Sequence, residues 1–170
     1  MDYLIVVDMQ GDFVDGALGT SEAVAILPRV KYVVDNFVGE IIYTRDTHTD
    51  DYLNTREGRH LPVKHCIKNS VGWEIIPDVY KAGCKIFDKP TFGSYELVDY
   101  LALENERAPI SSVTLIGVCT DICVVSNAML IKAKFPEIEV IVDSSACAGV
   151  TPDTHNAALS TMRMCQITVK

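Results

Sequence analysis

The sequence lacks the features that mark nucleic-acid-binding, membrane-spanning and exported proteins. Acidic residues outnumber basic ones by 23 to 15, and the formal net charge of −8 provides no basic surface for nucleic acid or an anionic membrane. No apolar run approaches the length of a membrane span, and the first residues, Met1 to Tyr3, carry no basic signal-peptide region. We therefore expect a cytoplasmic protein that binds neither nucleic acid nor membrane.

Several common cysteine and nucleotide sites are missing as well. The chain has 6 cysteines but no C-x-x-C pair, which argues against a zinc ribbon and a thioredoxin-type redox pair. Without an export signal, we expect the thiols to be reduced. The sequence also contains no G-x-G-x-x-G fingerprint and no P-loop, so it gives no support for a nucleotide site.

Short apolar runs alternate with helical patterns along the whole chain. Its 170 residues, 48% of them hydrophobic, are enough for one globular domain with a substantial core, which we place over residues 1–170. Apolar, β-branched runs predict six strands, over 3–7, 40–44, 85–88, 113–116, 138–142 and 166–169. Helical spacing predicts helices over about 21–37 (or from Pro28), 94–103, 121–134 and 152–164. This alternation predicts an α/β fold with three layers, in which helices flank a six-stranded, mostly parallel sheet.

Polar residues with useful chemistry follow directly after the predicted strands. In parallel α/β sheets, ligands bind beyond the carboxyl ends of the strands, so residues that follow different strands meet at one edge. We expect such a gathering for Asp8, Asp46, His48, Lys89, Cys119, Cys123 and Asp143.

Cys123 is the candidate nucleophile of this group. It lies at the predicted first turn of a helix, where unpaired N–H groups favour the thiolate. The alternative is a buried cysteine that is chemically inert. Asp8 and Lys89 also allow two interpretations, either a structural ion pair at the sheet end or a base and a charge stabiliser for the thiol.

A metal site is the second hypothesis. Asp46 and His48 form a D-x-H pair, and Glu57 and His65 follow in a long irregular stretch over 45–72. Carboxylates with imidazoles are ligands for zinc, iron or manganese, and His60 is a competing ligand in the same stretch. The alternative is that these residues are solvated loop side chains.

Four motifs occur in an order that is specific for one superfamily. They are D-x-Q-x-D-F at 8–13, D-x-H followed by P-x-x-H-C at 62–66, the lysine after the third strand, and G-V-x-T-D-x-C at 117–123. Over nearly its whole length the chain therefore resembles the isochorismatase-like cysteine hydrolases. Within that superfamily, the D-x-H set with a further histidine makes it most similar to the nicotinamidases.

The resemblance implies a role for individual residues. Asp8, Lys89 and Cys123 would form a catalytic triad, and the bond between Val118 and Cys119 would be a cis peptide. The backbone N–H groups of Cys119 and Cys123 would then form an oxyanion hole. Phe13 and Val118 would contact the substrate. Cys119 stands where such hydrolases more commonly carry alanine, which suggests sensitivity to oxidation.

The resemblance also implies a cofactor and a reaction. One divalent metal, with zinc as the first choice and iron or manganese as alternatives, would be held by Asp46, His48 and His65, with Glu57 as the candidate fourth ligand. The implied reaction is hydrolysis of nicotinamide to nicotinate and ammonia through a thioester, a step of NAD salvage. We also expect a homo-oligomer, both from the resemblance and from the apolar-rich helix near 124–133.

Two other functions stay open at this point. A related cysteine hydrolase would act on another small amide or carbamoyl compound without a metal, and the D-x-H residues would then line the pocket or be solvated. A non-catalytic α/β binding module or redox protein is the second alternative. A true isochorismatase is less consistent with the sequence, because those enzymes generally lack the nucleophilic cysteine.

Overall fold

Six parallel strands form one sheet at the centre of the molecule. The computed structural model describes residues 1–170, and its strands are β1 (Asp2–Val7), β2 (Glu40–Asp46), β3 (Lys85–Lys89), β4 (Ser112–Val118), β5 (Glu139–Ala148) and β6 (Thr168–Val169). Their order in the sheet is β3-β2-β1-β4-β5-β6, with every pairing parallel. The predicted six-stranded sheet is thereby confirmed.

Helices cover both faces of the sheet, as the three-layer prediction requires. The helices are α1 (Gly11–Val14), α2 (Ser21–Asn36), α3 (Arg56–His60), α4 (Tyr95–Arg107), α5 (Val125–Lys134) and α6 (Pro152–Met164). Alternate side chains of β1 enter two separate cores, with Ile5 in the one that α4, α5 and α6 cover and Val6 in the one that α2 covers. No helix in the structure combines the length and apolarity needed to cross a membrane.

Helix α2 continues through Pro28, so the alternative start at this proline is wrong. Thr20 is the N-cap, and its hydroxyl accepts a hydrogen bond from the Ala23 N–H at 3.0 Å. A proline inside a helix removes one backbone hydrogen bond. The buried side chains of Val30 and Val34 hold the helix on the sheet beyond that point.

Strand β5 runs six residues past its predicted end at residue 142. Its pairing with β4 shifts between Leu115 and Gly117, because the β5 strand carries extra residues at this bulge. Asp143 therefore lies within the strand, where its carboxylate forms an ion pair with Arg29 at 2.8 Å. The expectation that Asp143 joins the residues at the sheet edge is wrong.

The long stretch after β2 is folded back on itself. His48 N–H donates to the Cys66 carbonyl at 2.9 Å, and Lys68 N–H donates to the His48 carbonyl at 2.9 Å. Between these paired ends lie a short 3-10 turn, Tyr52–Asn54, and helix α3. The segment thus forms a fixed wall beside the carboxyl ends of β1, β2 and β3.

Gly117 allows β4 to approach β1 closely just before the site. Its φ is +113°, and a β-carbon there would lie 2.1 Å from the Val7 carbonyl oxygen. Gly117→Ala is expected to lower the free energy of unfolding by about 3 kcal/mol, because it combines backbone strain with a clash. Gly83→Ala is the matched control, since φ is +85° but open space surrounds that position. Its cost should stay near 1–2 kcal/mol.

Chemical denaturation of the two variants provides the measurement. Equal losses of unfolding free energy in Gly117→Ala and Gly83→Ala would show that the close approach of β4 to β1 contributes nothing.

Candidate active site

The carboxyl ends of four strands meet at one cavity. Asp8 follows β1, Asp46 ends β2, Lys89 ends β3, and Cys123 lies in the turn after β4. A cavity of about 370 Å³ opens over this edge, which is within the range of small-molecule sites. Its lining includes Phe13, Asp46, Glu57, His65, Cys119 and Cys123.

Asp8, Lys89 and Cys123 form one buried cluster beneath the cavity. Lys89 Nζ lies 2.6 Å from Asp8 Oδ2 and 3.4 Å from Cys123 Sγ. The contact with Oδ2 is an ion pair between two side chains that are almost completely buried. The Thr44 hydroxyl donates to the other oxygen, Asp8 Oδ1, at 2.6 Å and orients the carboxylate.

Burial sets the ionisation of this cluster. It raises the pKa of the Cys123 thiol well above its usual value, Asp8 raises it further, and Lys89 opposes both. Burial also raises the pKa of Asp8, again against the charge of Lys89. Although burial would lower the pKa of Lys89, the charges of Asp8 and Cys123 raise it overall, so the ammonium stays charged.

These pKa directions differ from the sequence-based expectation of a readily ionised thiol. The helix-terminus argument considered only the backbone amides. It missed the desolvation of Sγ and the carboxylate of Asp8, which together favour the neutral thiol. The thiol therefore depends on a base to remove its proton, and Asp8 is the carboxylate within reach.

Cys123 lies in a π-helical turn, Thr120–Val124, which precedes α5. In this turn the Cys119 carbonyl accepts hydrogen bonds from the N–H groups of Ile122 and Val124, at 3.1 and 3.0 Å. The sequence predicted a continuous helix from residue 121, whereas α5 begins only at Val125. Such π turns are rare and frequently occur at functional sites.

The residue before this turn has unusual backbone geometry. The peptide bond between Val118 and Cys119 is cis, as the resemblance implies. Among the backbone hydrogen bonds outside the regular helices and strands, none has the Cys119 N–H as its donor. Cys119 lines the cavity together with Cys123.

Asp46, His48, Glu57 and His65 form the candidate metal site. Their four ligand atoms lie within 4.8 Å of one another. His48 Nε2 is buried and lacks a hydrogen-bond partner although Asp46 Oδ2 is only 2.8 Å away, so both atoms point to a common centre. Burial alone would raise the pKa of Asp46, but its contacts with His48 and His65 hold that pKa well below its usual range. The donor set fits a divalent cation.

Further hydrogen bonds orient these ligands. The Val63 carbonyl lies 2.8 Å from His65 Nδ1, which leaves Nε2 facing the cluster. The buried Gln10 amide bonds both the N–H and the carbonyl of Asp46, at 2.7 and 2.9 Å. Gln10 belongs to the D-x-Q-x-D-F motif, but this role was not predicted; a glutamine three residues after a buried strand is the available signal.

The two predicted substrate contacts differ in position. Phe13 lines the cavity, with its ring centroid 5.5 Å from that of His65. Val118 does not, because its side chain is fully buried in the core beneath α2. The Val118 side chain therefore does not face this cavity, and the substrate contact expected of Val118 stays a prediction. His60 is exposed at the cavity wall and stands outside the metal cluster.

Sequence reasoning missed most of the apolar cavity wall. The residues are scattered over several connections and follow no helical or strand period, so no pattern identifies them. They are Leu18, Leu61, Phe92, Ile122 and Val150.

Comparisons with known proteins agree with this geometry. The Isochorismatase domain model matches residues 2–170. A nicotinamidase of Schizosaccharomyces pombe is 26% identical over an alignment 205 positions long, which covers 98% of this chain and 91% of the relative.

Two solved structures extend the comparison. The pyrazinamidase of Pyrococcus horikoshii, solved in complex with zinc, matches with a TM-score of 0.84 and 29% identity over 99% of this chain and 98% of that chain. N-carbamoylsarcosine amidase from Thermoplasma acidophilum matches with a TM-score of 0.78 and 27% identity, over 99% and 95%. Because the family model spans almost the whole chain and the similar proteins are amidases, the chain belongs to the isochorismatase family and is an amidohydrolase that acts on amide C–N bonds.

Proposed function

We propose that the protein hydrolyses nicotinamide to nicotinate and ammonia, with Cys123 as the nucleophile. The observation that carries the proposal is the position of the Asp8, Lys89 and Cys123 cluster directly beside a four-donor metal site at one cavity. The similar nicotinamidase and pyrazinamidase support the choice of substrate. In the cell, the reaction would supply nicotinate for NAD salvage.

The first half of the reaction forms a thioester. Asp8 takes the proton of Cys123 Sγ as the sulfur attacks the carboxamide carbon. The N–H groups of Cys119 and Cys123 stabilise the oxyanion of the tetrahedral intermediate. Asp8 then returns the proton to the nitrogen, the C–N bond breaks, and ammonia leaves. The acyl group remains on Cys123 Sγ as the thioester.

The second half hydrolyses the thioester. Asp8 removes a proton from a water molecule that attacks the acyl carbon. As the C–S bond breaks, Asp8 returns this proton to Sγ and restores the Cys123 thiol, and the carboxylic acid product releases its proton to solvent to give nicotinate. Lys89 keeps its charge throughout and stabilises the ionised forms of Asp8 and Cys123, which alternate in carrying the negative charge.

Asp46, His48 and His65, with Glu57 as the fourth donor, would hold one divalent metal. When bound, the metal would coordinate the pyridine nitrogen and so orient the ring, while Phe13 packs against it. The zinc complex of the similar pyrazinamidase supports zinc as the metal.

A second candidate substrate is a small carbamoyl compound. The likeness to N-carbamoylsarcosine amidase favours it, since the same triad chemistry serves any unhindered amide carbon. On this alternative the metal cluster would not bind substrate. Ammonia release from nicotinamide, N-carbamoylsarcosine and simple amides, measured side by side, distinguishes the two candidates.

Loss of the metal is expected to raise the KM for nicotinamide more than it lowers kcat. His65→Ala removes one donor and should lower zinc affinity by more than the roughly 10- to 100-fold that loss of a ligand's hydrogen-bond partner costs. Zinc content and zinc titration of chelated protein provide the measurement. Lys64→Ala is the matched control, because this neighbouring side chain is exposed and lies outside the cluster. Unchanged nicotinamide turnover by chelated, zinc-free protein would refute the orienting role and favour the carbamoyl candidate.

A further inference from the structure

Two hydrogen bonds hold the turn that carries Cys123 against the first turn of α6 and the connection that precedes this helix. Thr120 Oγ1 lies 2.8 Å from His155 Nδ1, and the Asp121 carboxylate accepts from the Val150 N–H at 3.1 Å. Thr120 is fully buried and lies three residues before Cys123. These contacts join segments that are about 30 residues apart, so they fix the turn against a separate part of the fold.

His155 is itself held in place by the start of α6. Thr151 and Thr154 form a capping box, and the His155 N–H donates to the Thr151 carbonyl at 3.0 Å. Pro152 at the first helical position adds further rigidity. The imidazole therefore presents Nδ1 to Thr120 from a well-defined position.

The chemistry of this contact suits a neutral imidazole. Burial lowers the pKa of His155, and Asp121 opposes this shift. With the proton on Nε2, Nδ1 accepts the hydrogen bond of the Thr120 hydroxyl. None of the steps proposed above uses His155 or Thr120, and the His155 ring lies outside the cavity lining.

We propose that His155 is a positioning residue, which acts through Thr120 to hold the π-helical turn so that Cys123 Sγ faces the amide carbon and the Cys119 N–H faces the oxyanion. This inference rests on Cys123 being the nucleophile. The turn contains Cys123 and follows directly after Cys119, so a change in its tilt would move both the sulfur and the Cys119 N–H relative to Lys89. A displacement of about 1 Å at reacting groups is enough to cost up to roughly 100-fold in rate.

Four variants test the contact. Thr120→Val and His155→Leu remove one partner each and should lower kcat roughly tenfold, the factor that 1.4 kcal/mol of lost positioning gives, with KM within about twofold. Thr120→Ser keeps the hydroxyl, and His155→Asn places an amide near the position of Nδ1. Both should recover kcat to within about threefold of the unmodified protein. The double variant Thr120→Val/His155→Leu should be no slower than either single variant.

Kinetic and unfolding measurements separate positioning from plain stabilisation. If Thr120→Val and His155→Leu lower the denaturation midpoint but leave kcat per folded molecule unchanged, the inference is overturned. Losses of kcat that add up in the double variant would overturn it as well. Cys123→Ala is measured in the same assay. If it is inactive while Thr120→Val and His155→Leu keep full kcat, only the positioning role is wrong. If Cys123→Ala is active, the proposed mechanism fails as well.

Discussion

Replacing Cys123 with alanine is expected to lower kcat for amide hydrolysis by roughly 10⁴-fold or more, because removing a covalent nucleophile leaves only binding and oxyanion stabilisation. The thiol is 4% exposed and only one sulfur atom is lost, so the variant should fold normally. KM should change little, since the proposed substrate contacts come from the cavity wall and the metal site. Steady-state ammonia release provides the measurement.

Cys165→Ser serves as the control for this experiment. It also removes a thiol, but one at the end of α6, outside the cavity lining. It should keep kcat within about twofold, as surface substitutions usually do. If Cys123→Ala retained a tenth of the original kcat, the thioester mechanism would have to be abandoned.

The second large effect is expected for Asp8→Asn, which should lower kcat roughly 10³-fold, the range of a general base. Yet the same change should make Cys123 easier to ionise. Burial and the negative charge of Asp8 both raise the pKa of the thiol, and Lys89 lowers it, so removing the carboxylate leaves burial as the main influence against Lys89. The protein should therefore lose turnover while its thiol gains reactivity at a given pH.

The pH dependence of Cys123 alkylation by iodoacetamide measures this shift directly. In Asp8→Asn the midpoint should move to lower pH than in the unmodified protein. Thr44→Val is a matched comparison, because it removes the hydrogen bond to Asp8 Oδ1 but keeps the carboxylate charge. A midpoint that rises in Asp8→Asn, or turnover that survives, would contradict the role of Asp8 as the base.

The sequence predicts which residues meet at the site, because parallel strands bring the residues at their carboxyl ends to one edge of the sheet. Apolar, β-branched runs identify β1, β2 and β4, and parallel pairing then brings the residues after them to one edge. Asp8 and Lys89 are predictable in this way because Asp8 directly follows β1 and Lys89 ends β3, and Cys123 is predictable because it lies in the first turn after β4. The ligand set is partly predictable, since Asp46 ends β2 and His48 follows it within two residues.

Other features depend on contacts that no local pattern encodes. The bulge that extends β5 and keeps Asp143 within the strand arises from its register with β4. The raised pKa of Cys123 arises from burial by the whole fold. The bond between Thr120 and His155 joins residues 35 positions apart, and neither residue has a spacing that indicates the other.

The most direct test of the central claim is to look for the acyl group on Cys123. Excess enzyme is mixed with nicotinamide, quenched in acid at successive times, digested and analysed by mass spectrometry. The mechanism predicts a transient nicotinoyl adduct on the peptide that contains Cys123, which appears as ammonia is released and disappears as nicotinate forms. Complete conversion of nicotinamide to nicotinate with no adduct at any time would contradict it.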